Sequence, residues 1–353
     1  MPQKIKSIVT ALASPKIFFY ALIWLMVLLV VGTVSQKYIG LYLAGEVYFS
    51  SFIVWLGGAV PVPGGYSVMS LIGVNLLCRT IQERWEWPKA GTIIVHLGAL
   101  LLLLGGFITA AFSVEGNMVI PEGGTANFIS SYHDRELAVI EITDEKAEEV
   151  ATYGPAFLKQ GAQPGYGITV KGFFRNSAIA MQDGEPRIVP ARRAVDDEDN
   201  VSALLFTVVG KDYSVFEFMP RPPVIEYEGR NYMLMLRRTR TALPFEIDLV
   251  KFTKETHPGT DTARLYSSEV ILKDGAQEWR SVISMNKPLR YKGYTFFQSS
   301  FLTDESGSVA TVLAVVKNAG RLYPYIASIV ICIGLLVHMI IMIPKLTGGR
   351  VKP

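Results

Sequence analysis

Two histidines in apolar stretches are the residues of this chain best placed to do chemistry. His96 lies in the uncharged run Ala90–Val114, and His338 lies in a second apolar run, Leu322–Ile343. About 20 apolar residues are enough to cross the hydrocarbon core of a bilayer. An ionisable side chain inside such a segment is costly and usually functional. Because imidazole is the commonest side-chain metal ligand and a standard axial ligand of haem iron, His96 and His338 are candidate ligands.

The spacing of these histidines from flanking lysines predicts that they lie at the same depth. His96 follows Lys89 by seven residues, and His338 precedes Lys345 by seven. If both lysines mark one membrane interface, a rise of 1.5 Å per residue puts each imidazole about 10 Å into the bilayer. This match predicts a haem held between the two histidines. The alternative is that each histidine hydrogen-bonds a neighbouring helix and only holds the bundle together.

Four glycines surround His96 and also allow two interpretations. They are Gly91, Gly98, Gly105 and Gly106. Glycines permit the close approach of a flat cofactor, but in membrane helices they more often permit the close approach of another helix.

The other two histidines carry weaker signals. His133 follows two serines and a tyrosine, and His257 precedes Pro258. Both are predicted to be solvated loop residues, because neither has metal-ligand spacing to another histidine or cysteine.

Composition indicates a membrane protein with a large polar part. Of the 353 residues 50% are hydrophobic, and the net charge is only +3, so no strongly basic surface suggests nucleic acid as a partner. Cys78 and Cys332 both fall at or in apolar spans, which argues against a disulfide framework. The sequence contains no Cys-x-x-Cys-His haem-attachment site and no nucleotide-binding or hydrolase signature. It assigns no catalytic residue to this chain.

The predicted fold class is a membrane α-helical protein with four transmembrane helices and a large, mainly β, extracytoplasmic domain between helices three and four. The predicted domains are residues 1–112, with three spans and an interfacial segment, residues 113–321, and residues 322–353. The four spans are Ile17 to about Ser35, Tyr66–Cys78, Ala90–Phe112 and Leu322–Ile343. Glycines and prolines interrupt the second apolar region, so Val47–Leu56 is predicted to be interfacial. The first span is predicted to be a retained helix rather than a cleaved signal peptide.

Basic residues predict the orientation of the spans. With four spans, three basic clusters fall on one side of the membrane, which should be cytoplasmic. They are Lys4, Lys6 and Lys16, then Arg79, Arg84 and Lys89, then Lys345, Arg350 and Lys352. Trp85 and Trp87 are predicted to anchor the inner loop at the interface.

The polar middle of the chain reads as antiparallel β structure, in a sandwich or a barrel-like domain. Its segments are rich in Val, Ile, Tyr and Phe and are separated by turn residues. The predicted strands are Leu137–Ile142, Gly167–Phe174, Ala203–Val209, Val215–Met219, Tyr232–Leu236, Phe245–Phe252, Leu265–Leu272, Gly293–Phe301 and Val309–Val316. The charged segment Arg187–Asn200 is predicted to be a mobile loop.

Several short motifs then resemble a known family. In the apolar regions these are Gly32-Thr33-Val34-Ser35-Gln36, Asn75-Leu76-Leu77-Cys78-Arg79, and Gly91 followed by His96-Leu97-Gly98. In the polar middle they are Leu243-Pro244-Phe245, Tyr266-Ser267-Ser268, Asn286-Lys287-Pro288-Leu289 and Tyr291-Lys292-Gly293-Tyr294-Thr295-Phe296-Phe297-Gln298-Ser299-Ser300. With these motifs the chain resembles the ResB (CcsB) family of cytochrome c biogenesis, system II.

The resemblance implies a role and a site. Members of the family work with a multi-span haem-handling partner of the ResC/CcsA type, which carries a tryptophan-rich WWD motif. Together they move haem b across the bacterial cytoplasmic membrane and present it to apocytochrome c for thioether attachment. The resemblance implies that His96 is an axial haem ligand, that the partner supplies the second ligand, and that this chain is not catalytic alone. Ligation needs neutral imidazole, so acidification should weaken haem binding.

Three questions stay open from the sequence. The second ligand could be His338 instead of a partner residue, which would make the chain a bis-histidine electron-transfer protein. The chain could also be a non-catalytic scaffold for a haem-handling partner. Asn286 and Gln298 could contact apocytochrome or the partner, or they could serve only the packing of the β domain.

Overall fold

The structure, a computed structural model, describes residues 3–143, 146–182, 185–260, 263–304 and 307–347. It divides the chain into two compact units. One comprises Met1–Ser113 together with Asn318–Pro353, and the other comprises Val114–Lys317. Two of the basic residues used to predict the orientation, Arg350 and Lys352, lie outside the described residues.

The first unit is mainly helical. Its α-helices are α1 (Gln3–Leu12), α2 (Pro15–Ile39), α3 (Leu41–Ala44), α4 (Gly65–Gln82), α5 (Ala90–Phe112) and α6 (Tyr323–Thr347). A π-helical turn at Gly45–Phe49 and a hairpin of strands β1 (Ile53–Leu56) and β2 (Val60–Pro63) lie between α3 and α4. A single 3-10 turn, Trp87–Lys89, leads into α5.

Three helices in the described part of the chain are long and apolar enough to cross a membrane. They are Pro15–Ile39, Trp87–Phe112 and Tyr323–Ile343, which agree with the predicted first, third and fourth spans. Their exposed side chains are largely apolar, as lipid-facing surfaces require. The short predicted span Tyr66–Cys78 does form a helix, α4, but α4 is not among these three. A fourth crossing therefore stays a prediction.

The glycine- and proline-rich segment before α4 forms a hairpin, and the interfacial location of Val47–Leu56 stays a prediction. The predicted interfacial segment Val47–Leu56 ends in strand β1, which pairs with β2. Gly57 and Gly58, at φ angles of 60° and 76°, form the turn between the strands. The hairpin is tied to α2, because Trp24 Nε1 donates a 2.8 Å hydrogen bond to the carbonyl oxygen of Pro63.

A stripe of glycines joins α5 to α6. A Cβ atom added to Gly91, Gly98 or Gly105 would come within 2.6 Å of an atom of α6. These glycines recur every seven residues and so share one face of α5. Of the two interpretations of the glycines around His96, close helix packing is the one the structure bears out at these three positions.

The neighbouring glycines Gly105 and Gly106 allow a matched test of this packing. A Cβ added to Gly105 would lie 2.2 Å from Tyr323 Cβ, whereas one added to Gly106 would meet nothing within 4 Å. We expect Gly105→Ala to lower the melting temperature of the purified protein, because α6 must move away. Gly106→Ala should leave it unchanged or raise it, since alanine is the better helix former by about 1 kcal/mol. Equal melting temperatures for both variants would contradict the packing described here.

The second unit is a mainly β domain, as predicted. Its strands are β3 (Val114–Pro121), β4 (Thr125–Ile142), β5 (Ala147–Tyr153), β6 (Ile168–Phe174), β7 (Ser177–Gln182), β8 (Glu185–Pro190), β9 (Ala203–Val208), β10 (Lys211–Phe216), β11 (Val224–Tyr227), β12 (Arg230–Thr256), β13 (Ala263–Asp274), β14 (Gln277–Ser284), β15 (Leu289–Tyr291), β16 (Tyr294–Thr303) and β17 (Val309–Lys317). All their pairings are antiparallel, with ten strands in the largest sheet.

Two long strands, β4 and β12, run through both hydrophobic cores of this unit. The first core includes Phe245 and Phe296 and is covered by β13, β16 and β17. The second core includes Leu234 and Phe206 and is covered by β6, β9 and β10. Between the two cores the paired middles of β4 and β12 carry charged side chains, so a polar belt separates two apolar lobes.

The charged segment Arg187–Asn200 is more ordered than predicted. Its first part completes strand β8, which pairs with β7, and a 3-10 turn forms at Asp197–Asp199. The prediction of a loop over the whole segment is therefore wrong. The carboxylate of Asp197 explains the second ordered part, since it binds both Arg193 and His133.

Candidate functional site

His96 lies on the face of α5 that points away from α6. Consecutive residues are about 100° apart around a helix, so His96 is about 160° from Gly98 on the glycine stripe. Leu103, one heptad further along, shares the face of His96 and lies next to Gly73 of α4. Arg79 and Glu83, at the end of α4, are the charged groups that act electrostatically on the imidazole. The candidate ligand thus faces the C-terminal end of α4.

The imidazole of His96 has an unsatisfied ring nitrogen. Its Nδ1 atom is buried and has no hydrogen-bond partner among the described residues. Buried polar atoms in proteins nearly always have a partner, so each exception calls for an explanation. An absent ligand or partner chain is such an explanation, and this atom is the observation that makes His96 a candidate site.

His338 lies at a different level from His96. A Cβ added to Gly91 would come within 2.4 Å of the backbone nitrogen of His338, and one added to Gly98 would meet Ile331. His338 is therefore level with Gly91, five residues before His96, or about 7.5 Å along the helix axis. The Cα atoms of the two histidines therefore lie at different levels, contrary to the predicted match, because Lys89 and Lys345 do not mark the same level of the packed helices.

Contacts around His338 belong to the interface between α5 and α6. Its Nδ1 atom lies 3.5 Å from the hydroxyl oxygen of Thr92. The helix backbones touch at this level through Gly91, so no gap is left between them for a flat macrocycle. His338 as a second haem ligand of this chain stays a prediction, and this geometry does not favour it.

Glu83 fastens the end of α4 to the start of α5 beside His96. Its carboxylate contacts Arg79 NH2 at 3.1 Å and Lys89 Nζ at 2.5 Å. The hydrogen bond from Lys89 holds the pKa of Glu83 below its usual value. Sequence reasoning used Arg79 and Lys89 only as orientation signals and missed Glu83. The four-residue spacing of Arg79 and Glu83 could have indicated this ion pair.

The family-like motifs of the apolar regions position these helices. Asn75, almost fully buried, donates hydrogen bonds to the carbonyl oxygens of Leu12 and Ser14, at 2.6 and 2.9 Å. It therefore ties α4 to the break between α1 and α2. Gly32 packs against the ring of Phe49, and a Cβ added to Gly32 would lie 2.4 Å from Phe49 Cζ, so a larger residue would require the ring to shift. These motif residues serve helix packing.

The longest motif of the β unit forms a tight hairpin. Lys292 and Gly293, at φ angles of 44° and 83°, make the two-residue turn between β15 and β16. Tyr294 and Phe296 then point into the first hydrophobic core, where Phe245 meets both rings edge-on. The alternation of aromatic residues thus serves the core.

Gln298 is a structural residue of this motif. It is buried, its Oε1 accepts a 2.6 Å hydrogen bond from the hydroxyl of Ser268, and its Nε2 donates to Thr311 Oγ1 and to the carbonyl oxygen of Ser300. The packing interpretation of Gln298 is the one that the structure supports. Asn286 lies instead in an exposed turn after β14 and keeps both interpretations.

The two histidines outside the apolar spans differ from each other. His257 is an exposed turn residue, as predicted. His133 lies within β4, and its Nδ1 atom is 2.6 Å from Asp197 Oδ2, so the prediction of a solvated loop residue is wrong. The cause is an irregularity of β4 that turns His133 toward the loop containing Asp197.

Two carboxylates of the β unit, Asp197 and Glu149, have lowered pKa values that make its stability depend on pH in acid. Burial alone would raise the pKa of Asp197, but hydrogen bonds from Arg193 and His133 outweigh it and lower the pKa. A hydrogen bond from Arg237 lowers the pKa of Glu149. A lowered pKa contributes stability above the unfolded value, near 4, that is lost as the pH falls through the folded value.

We therefore expect the melting temperature of the β unit, measured in the full chain, to fall as the pH is lowered from about 5 to 3. In Asp197→Asn the fall should be shallower, because one of these groups no longer titrates. A variant with the same pH dependence as the wild type would contradict the role given to Asp197.

Comparison with known proteins identifies the family of this chain. The model of the ResB-like family matches residues 82–143 and 224–327. The chain is also similar to Protein NrfI of Wolinella succinogenes, with 34% identity over 100 residues, which is 28% of this chain. The chain belongs to the ResB-like family. The resemblance found in its motifs is thereby confirmed.

The two matched segments of this ResB-like chain separate the two membrane histidines. The first segment contains Glu83, Lys89 and the whole of α5 with His96. The second contains β11 to β17 and ends at residue 327, before His338. The aligned stretch spans only 11% of the length of Protein NrfI.

Proposed function

We propose that this ResB-like chain is a subunit of a membrane complex for cytochrome c biogenesis that moves haem across the bilayer and presents it to apocytochrome c. The family match and the similarity to Protein NrfI support the role in cytochrome c biogenesis. The unsatisfied, buried Nδ1 atom of His96 carries the haem part of the proposal.

His96 would hold the haem by its imidazole. Haem would supply an iron that accepts the neutral nitrogen of an imidazole as a ligand. The helix α5 fixes the position of the imidazole, and the Glu83 ion pairs with Arg79 and Lys89 fix the adjoining end of α4. In this arrangement the chain binds and orients the haem, and the reaction with apocytochrome c belongs to the complex.

A multi-span partner of the ResC/CcsA type would supply the second ligand. His338 is level with Gly91 and sits in the tight interface with α5, so it is poorly placed to share a haem with His96. A bis-histidine electron-transfer protein formed by this chain alone therefore has no geometric support. The partner would also bring the WWD motif, which this sequence lacks.

The proposed location is the bacterial cytoplasmic membrane, with both termini in the cytoplasm and the β unit outside. Basic residues before α2 and around Arg79 and Lys89 support this orientation through the positive-inside rule. The β unit would then stand where apocytochrome c receives its haem.

Cytochrome maturation in cells tests this proposal. In cells that depend on this chain for their c-type cytochromes, His96→Ala should reduce haem-stained c-type cytochromes to about a tenth or less, because even substitutions next to a metal ligand typically cost 10–100-fold. His338→Ala is the matched control and should retain them. Normal maturation with His96→Ala, at an equal level of the chain in the membrane, would support the scaffold alternative instead.

A further inference from the structure

A cavity of about 600 Å³ opens on the second lobe of the β unit. The two membrane histidines, His96 and His338, belong to the other unit of the chain. Ligand pockets commonly have volumes of roughly 300–1,000 Å³. Its lining combines basic side chains with apolar ones. The basic residues are Arg135, Lys159, Lys171 and Arg175, and the apolar ones include Phe174 and Leu205. Nothing in the proposed function uses this cavity.

Both strands that line the cavity are irregular at this place. On β4, Arg135 pairs with Arg238 and Ser130 pairs with Arg240, so the four residues between them bulge out opposite one residue of β12. On β6 the register shifts between Val170 and Gly172, which makes Lys171 an extra residue. Bulges re-aim side chains and are over-represented next to functional sites. Two bulges that line one cavity indicate that its shape is specified.

The bulge of β4 is held in place by side chains. Ser131 Oγ accepts hydrogen bonds from the backbone nitrogens of His133 and Asp134, at 3.3 and 3.1 Å. Arg175 NH1 donates a 2.9 Å hydrogen bond to the carbonyl oxygen of His133, and the His133 ring binds Asp197. The cavity wall is therefore ordered before any ligand arrives, which reduces the entropic cost of binding.

The basic groups of the lining are only partly neutralised. Glu217 pairs with Arg135 at 2.7 Å, and Asp212 pairs with Lys171 at 2.6 Å. Lys159 and Arg175 form no ion pair with a carboxylate in the described part of the chain. Asp134 is the acidic residue of the lining. The cavity thus offers two uncompensated cations beside the apolar side chains of Phe174 and Leu205.

We propose that this cavity binds an amphipathic organic anion, a small molecule with a flat apolar body and carboxylate or phosphate groups at its edge. The apolar body would lie against Phe174 and Leu205, and the anionic groups would bind Arg175 and Lys159. Guanidinium and ammonium groups form strong charge-assisted hydrogen bonds with such oxygens.

Two variants separate the apolar and the ionic contributions. A Cβ added to Gly172 meets only the Phe174 ring, at 3.7 Å, so Gly172→Leu should fill the cavity without disturbing the backbone. Lys159 is exposed, so Lys159→Glu should reverse a charge at the edge without loss of stability. Lys251→Glu, a charge reversal of another exposed lysine, on β12 and outside the lining, is the matched control.

The test uses the full chain in phosphatidylcholine nanodiscs and the fluorescence anisotropy of pyrene tetrasulfonate, a flat, water-soluble polyanion. We expect saturable binding that Gly172→Leu and Lys159→Glu each weaken by about tenfold or more, with the control like the wild type. Circular dichroism establishes whether each variant is folded. If Gly172→Leu does not fold, the binding measured with Lys159→Glu tests the proposal.

Three results would overturn the proposal: no saturable binding, equal binding to wild type and both variants, or weakening by Lys159→Glu but not by a folded Gly172→Leu, which would indicate simple charge attraction. The readout involves neither haem nor His96. Absence of probe binding would not contradict the proposed haem function. Likewise, a negative result with the His96 variants would not contradict the proposed ligand of this cavity.

Discussion

Replacing His96 by glycine should remove haem from the complex of this chain with its partner, and added imidazole should restore it. The substitution deletes the proposed axial ligand and leaves a space beside α4 that free imidazole can enter. Haem content per complex, measured after purification, should fall to about a tenth or less, because even substitutions next to a metal ligand typically cost 10–100-fold in affinity. Rescue by imidazole separates a ligand from a residue needed only for packing, since packing is not restored by a small base.

His338→Gly is the matched control for this experiment. It lies in the interface between α5 and α6, with its Nδ1 atom near Thr92. We expect the variant to keep its haem, with a lower melting temperature as the main effect. Loss of haem from His338→Gly that imidazole reverses would mean that this chain supplies both ligands and that the helices differ in register from those described here.

The second large effect concerns the polar belt between the two lobes of the β unit. The side chains of Arg135 and Glu217 are 4% and 2% exposed, and Arg135 Nε donates a 2.7 Å hydrogen bond to Glu217 Oε2. Arg238 Nε approaches the other carboxylate oxygen at 3.4 Å. Glu217→Ala would leave Arg135 buried without a counter-charge. We expect a loss of about 3–5 kcal/mol in the free energy of unfolding of the β unit, measured by chemical denaturation of the full chain.

Two further variants make this prediction specific. Glu269→Ala removes a carboxylate whose ion pair with Arg280 is well exposed, so it should cost less than about 1 kcal/mol. The double substitution Arg135→Met with Glu217→Leu should recover most of the lost stability, because it removes the two most deeply buried charges together. A double variant as unstable as Glu217→Ala would show that the pair has a role beyond charge compensation.

The sequence predicts those elements of the fold whose structure is determined by their own residues, such as the long apolar helices. The apolar run Ala90–Phe112 and helix α5 have the same ends, because nothing but a helix satisfies the backbone of a long apolar segment in lipid. Leu322–Ile343 and α6 agree within a few residues. The hairpin before α4 was missed, since glycines and prolines signal a turn without saying what flanks it.

Strand β12 shows how far the strands of the β unit can be predicted from the sequence. Tyr232–Leu236 and Phe245–Phe252 were predicted as two strands, but they are parts of one strand, Arg230–Thr256. The arginines between them look like a solvated loop in the sequence, yet they pair across the polar belt with Glu136, Glu149 and Glu217 of other segments. Pro244 lies where the register of β12 shifts, which is where a strand tolerates proline. Partners far apart in sequence decide such a strand.

Only part of the candidate site could be predicted, because only part of it depends on local sequence. A histidine in an apolar span is visible in the sequence, so His96 was found. The level of His338 depends on how α5 and α6 slide along each other, and the glycine contacts that set this level involve residues more than 200 positions apart. The spacing of the histidines from Lys89 and Lys345 therefore did not predict the relative level of His96 and His338.

The most direct test of the central claim is the reduced-minus-oxidised visible spectrum of the purified chain, recorded with and without its co-expressed multi-span partner. The proposed site, with His96 from this chain and the second ligand from the partner, predicts a haem spectrum only when the two proteins are together. A haem spectrum of the same intensity from this chain alone, lost in either His96→Ala or His338→Ala, would contradict the shared site and make the chain a bis-histidine cytochrome.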